Sequence, residues 1–104
     1  MSGELTIRWN EGELDIEDVR AWVEDNKAMV IGEDGRDVNL GRIANMLYDF
    51  YLESRGERGL GSFLKAVKDN DFRKAVAHAD AGSRRAIALF QLFLDSVAPA
   101  SYTE

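Results

Sequence analysis

Apolar residues recur along this chain in runs whose period shifts from two to about 3.6, and the shifts divide it into elements. In "ELTIRW" Leu5, Ile7 and Trp9 fall on one side and Thr6 and Arg8 on the other, the period of a half-buried strand. "NEGELD" then turns the chain. Asp15 stands where a helix N-cap belongs, with Asp18 at the capping-box position three residues on. The helix that follows, 16–25, gathers Ile16, Val19, Trp22 and Val23 on one face and Glu17, Asp18, Glu24 and Asp25 on the other.

The short run "AMVI" and the sequence "GEDGRDV" predict strands at 28–31 and 36–38 around an Asp34–Gly35 turn, with a loop as the competing reading. Asp37 or Asn39 would cap a helix over 40–54 that is apolar around most of its circumference. Only Arg42, Asn45, Asp49 and Glu53 form a polar stripe there, so this helix should be covered on several sides and stand at the centre of the molecule. Three glycines in "RGERGLG" break the chain. Two short amphipathic helices follow, 60–68 through Leu60, Phe63, Leu64 and Val67, and 71–79 through Phe72, Ala75, Val76 and Ala79. A last helix, 84–97, would be capped by Ser83 or Asp80 and stopped by Pro99.

Together these elements predict an α+β, mainly α fold: a compact bundle of about five helices with a small N-terminal β element of two or three strands. The alternative is all-α. Residues 1–98 read as one globular domain and 99–104 as a frayed tail. The chain's 104 residues, 45% hydrophobic and 31% charged, suit a single core.

Charge adds a division that the pattern does not show. Thirteen carboxylates and five bases fall in 1–54, whereas 55–85 holds eight bases against four acids, within a net charge of −6. No cysteine is present, which removes disulfides and thiolate chemistry. The N-terminal residues lack the basic and apolar regions of a signal peptide, and no apolar run approaches the roughly 20 residues of a spanning helix. The expectation is a cytoplasmic protein that does not enter membranes. In "GSRRAIALFQLFLDSVAPA" the continuous apolar part is nine residues, Ala86 to Leu94, about half a membrane thickness at ~1.5 Å per residue.

Candidate chemistry is sparse. The lone histidine, His78, falls at the edge of its helix's apolar face and reads as partly buried rather than catalytic. "GERGLGS" lacks the lysine and the preceding strand of a phosphate loop. "DND" at 69–71 and "EDGRD" at 33–37 lack the ligand ladder of a calcium loop, and helix capping and a turn account for them. Neither cofactor nor metal is expected. The pattern of 72–90 resembles two helices joined by a short, glycine-containing turn, but the second offers almost nothing to read a base edge, so nucleic-acid contact through the basic 55–85 segment is the secondary reading.

The favoured reading is a small acidic, non-enzymatic interaction module, a regulator, inhibitor or accessory subunit that binds another protein. An enzyme of unrecognised type is the remaining alternative. Two contact surfaces are candidates. One is acidic, through Glu17, Asp18, Glu24 and Asp25. The other is Ser83, Arg84 and Arg85, cations in a first helical turn whose free N–H groups would suit an anion or acidic partner. The helices at 40–54 and 84–97, apolar nearly all round, could also leave a strip for a second copy.

Overall fold

The computed structural model describes residues 2–29, 39–79 and 86–103. Within them the chain forms α1 (Ser2–Glu11), α2 (Ile16–Asn26) running into a 3-10 turn (Lys27–Met29), and α3 (Leu40–Ser54). After these come α4 (Ser62–Lys68), α5 (Phe72–His78), α6 (Ile87–Ser96) and α7 (Ala100–Thr103). No strand occurs among the described residues, so the fold is all-α and the expected β element is corrected.

The first strand fails for a reason visible in its own residues. Leu5 and Trp9 share a face in a strand, but they are also one helical turn apart, and the helix uses that second relation. Trp9 is buried and Leu5 packs beside the core, while Ile7, which a strand would have turned inward with them, is 58% exposed. Thr6, assigned to the outer side, instead donates its hydroxyl hydrogen bond to the Ser96 carbonyl at the end of α6 (3.2 Å). α1 then stops at Gly12, whose φ of 73° lies in the left-handed region open to glycine. The Glu13 N–H reaches back to the Arg8 carbonyl (2.8 Å) and the Gly12 N–H to Trp9 (3.1 Å), the paired bonds of a Schellman end. Of the expected hairpin, Ala28 and Met29 belong to the 3-10 turn rather than a strand. The remainder, with the Asp34–Gly35 turn, lies outside the described residues.

Helix starts follow the capping residues closely. Asp15 accepts from the Asp18 N–H (3.0 Å) while Asp18 accepts from the Asp15 N–H (3.1 Å), a complete capping box. Asn39 caps α3 through the Arg42 N–H, and Asp71 caps α5 through the Lys74 N–H. α3 and α4 close on Schellman bonds as α1 does, with Glu57 bonded to Leu52 and Asp71 to Ala66. Asn70 supplies the left-handed residue at the second of these ends. α6 begins at Ile87, later than expected, with Ala86 at the N-cap position and no side-chain cap. Ser83 and Asp80, the anticipated caps, lie outside the described residues.

α3 and α6 form the centre. Leu47, Phe50, Leu89, Phe90 and Phe93 are fully buried, and each such side chain contributes about 1.5–3 kcal/mol relative to exposure. Phe93 meets Trp22 edge-on at 5.2 Å and Trp9 at 6.1 Å, so one α6 ring ties both tryptophans to the core. α2 packs along α3, α4 and α5 pack on each other, and α4 and α1 each reach α6. Beyond Pro99, the stretch expected as a tail turns once more into α7, with the Tyr102 N–H bonded to the Pro99 carbonyl (2.9 Å). No helix of the described residues is long and apolar enough to cross a membrane.

Candidate functional site

Of the surfaces that the sequence singles out, the structure describes the acidic one on α2 and part of the basic segment. On α2, three of the four acidic candidates are engaged within the chain. Glu17 pairs with Arg20 (2.7 Å), Glu24 with Lys27, and Asp18 with Arg8 of α1 (3.1 Å) as well as serving in the capping box. Asp25 is exposed and has no ion pair among the described residues. Ser83, Arg84 and Arg85 lie outside the described residues. In the basic segment Arg55 pairs with Glu57, Arg58 with Asp49 and Lys68 with Glu53, which leaves Lys65, Arg73 and Lys74 exposed. His78 is exposed rather than partly buried, because α5 covers little more than its Ala75 side. Apart from the exposed Ala88, the apolar side chains of α3 and α6 are buried or half-buried by their own chain.

The most constrained polar cluster joins three segments far apart in sequence. Glu53 near the end of α3 accepts at one oxygen, Oε1, from the Tyr102 hydroxyl (2.7 Å) and from the Lys68 ammonium of α4 (3.0 Å). The Lys68 nitrogen also stands 4.3 Å from the centre of the Tyr102 ring, a cation–π contact. The ring rests against Trp9 (5.2 Å) and meets Phe50 at 6.4 Å. Both donors favour the ionised carboxylate, so the Tyr102 bond first and then Lys68 hold the Glu53 carboxyl below its ordinary range against the opposing effect of burial. Burial, and then the bond to Glu53, push the Tyr102 phenol upward. It remains a neutral donor.

Two surface grooves meet at this cluster and share Lys68 and Tyr102 as their common wall. The first, about 640 Å³, runs past Trp9, Asn10, Ser54, Arg55, Pro99 and Ser101. The second, about 620 Å³, is lined on the far side by Asp69, Asn70, Gln91, Leu94 and Asp95. Arg55 stands over the Tyr51 ring at 5.7 Å, which steadies the cation at the first groove's lip. Asp69 and Asp95, both exposed, put carboxylates on the second. The arrangement therefore offers hydrogen-bonding side chains, an amphipathic aromatic wall, and charges of opposite sign at its two ends. No group of three or more metal-ligating side chains assembles among the described residues.

The sequence pattern puts Glu53 on the polar stripe of its helix and Lys68 at a helix end, and puts Tyr102 in the tail. An aromatic ring three residues after a proline, in an otherwise polar terminus, was the one available signal that the segment returns to the core. Trp9, Trp22 and Tyr51 are buried, and the Tyr48 hydroxyl donates to the Leu14 carbonyl (3.2 Å). No protein-family model, no curated protein and no solved structure matches this chain.

Proposed function

We propose that this chain is a non-catalytic protein-binding module, a regulator or accessory subunit, that seats an extended segment of its partner along the two grooves meeting at Tyr102. The observation that carries this reading is the composition of the first groove. Trp9, Tyr102 and Arg55 line it together, the three residue types that most often dominate binding energy at protein interfaces. Each is already fixed by neighbours, through ring stacking, the Glu53 bond and the Tyr51 ring, so little side-chain freedom is lost on binding. The polarity of the lining suits a peptide backbone, which must satisfy its own N–H and C=O groups. A basic side chain of the partner would meet Asp69 and Asp95, and an acidic one Arg55.

Affinity capture from the native host with the wild-type chain, and with Ser101→Arg and Arg55→Glu, tests this reading. Both residues are exposed at the groove mouth, so the fold should survive their replacement. A partner recovered by the wild type should be lost with both variants and retained by Glu24→Gln on the remote α2 surface. Recovery of the same partner by all four proteins would overturn it.

A further inference from the structure

Two large apolar side chains are exposed among the described residues, Ile7 at 58% and Phe72 at 62%, and their surroundings carry opposite charge. Ile7 lies at the middle of the outer face of α1. One turn before it are Gly3 and Glu4, and one turn after it is Glu11, all exposed. A Cβ built at Gly3 would meet nothing within 4 Å, so the face is flat and open beside Ile7. Glu4 and Glu11 bracket this apolar spot about 10 Å apart along the axis. Neither has an ion pair among the described residues, in contrast to Glu17, Asp18 and Glu24 of α2, which pair with Arg20, Arg8 and Lys27.

Phe72 occupies the first turn of α5 and is followed by Arg73 and Lys74, both exposed and both without an ion pair among the described residues. From Ser2 to Asn26, through α1, α2 and the connection between them, the chain carries eight carboxylates against Arg8 and Arg20. Across α4 and α5 it carries four bases against Asp69 and Asp71, and Asp71 is committed to capping its helix. The two large apolar side chains exposed among the described residues are thus centred on complementary fields.

We propose that a second copy of this chain covers the Phe72 face, and that it does so with its Ile7 face. The Phe72 ring would lie over the flat surface formed by Gly3 and Ile7, with Arg73 and Lys74 reaching the flanking Glu4 and Glu11. The two faces are different, so the contact is heterologous: every added copy presents one free face of each kind, and assembly continues into a ring or an open chain. Each contact is small, which makes the association weak, and its charged rim makes it sensitive to salt. The proposal is independent of the Tyr102 grooves, since no groove-lining residue takes part.

Sedimentation equilibrium over a concentration series tests it. The weight-average mass of the wild type should rise above the 11.7 kDa of the monomer at low ionic strength. It should fall back as salt approaches about 1 M, where charges are screened within about 3 Å. Phe72→Asp and Ile7→Lys should each remain monomeric, because each places a like charge in the contact it alters. Mixed in equal amounts, the two variants should associate again, at least to a heterodimer of twice the monomer mass, since each supplies the face that the other has lost. Circular dichroism and tryptophan emission verify that both variants are folded. A wild type that stays monomeric throughout the series would overturn the proposal. So would variants that associate as the wild type does, or a mixture that shows no heterodimer.

Discussion

Helices α5 and α6 both repeat apolar residues one helical turn apart, α5 on a single face and α6 nearly all round, and they reach opposite ends of the burial scale. α6 buries Ile87, Leu89, Phe90, Phe93 and Leu94, whereas α5 buries Ala75 alone. Periodicity states which residues share a face, and says nothing of how much partner surface that face will meet. The α5 face is largely alanine, which offers little area to drive a close contact. Its one large member, Phe72, stands at the first helical position, where the Cα–Cβ bond leans back toward the N-terminus and off the end of the helix. α6 carries large side chains on nearly every side and can be covered only from the middle of the molecule. Its position follows from that circumference, and α5 fits where room remains beside α4.

The contrast can be broken most sharply with two phenylalanines. Phe93→Ala should cost about 3–5 kcal/mol in urea unfolding, because it removes the ring that meets both Trp9 and Trp22. A loss below about 1 kcal/mol would mean that α6 is not the centre described here. Tyr102→Phe should have an intermediate effect, about 1 kcal/mol at neutral pH, since the ring stays packed and a partly screened bond to a charged group is lost. Its pH dependence follows from the depressed Glu53 carboxyl. The stabilisation is fully present above the ordinary glutamate value of 4.5, and it is lost as pH falls through the lower value of the folded state. Wild type and Tyr102→Phe should therefore converge in stability in acid. A gap that is constant with pH would detach Tyr102 from Glu53. Phe72→Ala should shift stability least, by no more than about 0.5 kcal/mol, as befits a side chain outside the core. Equilibrium unfolding of a dilute sample measures this without interference from self-association.

Most helices of this fold were legible because their start signals are chemical rather than statistical. Asp15, Asn39 and Asp71 each satisfy a backbone N–H that nothing else reaches, so boundaries read from them agree with the structure to within a residue or two. α1 was misread because five alternating residues fit a strand as well as a helix. The deciding fact, that Ile7 faces solvent while Thr6 reaches Ser96, depends on the arrival of α6 ninety residues later in the chain. The candidate site was less legible for the same reason. Glu53, Lys68 and Tyr102 meet across three separate helices, and no local spacing links them. The sequence puts Glu17, Asp18, Glu24 and Asp25 on one face of α2. What sequence could not supply was the position of Arg8, Arg20 and Lys27 beside them.

The contact between Trp9 and Tyr102 has a consequence for the way the chain could be rewired. It brings α1 and α7, the outermost described helices in sequence, within 5.2 Å ring to ring. A flexible linker could therefore join the start of α1 to the end of α7, and the chain could be reopened in the irregular stretch between α3 and α4, where Glu57, Arg58 and Gly59 are exposed. A circularly permuted protein of this kind would keep every helix and every contact of the core. It would also leave a tethered loop beside the first groove, into which candidate partner segments could be spliced and presented to Tyr102 at high effective concentration.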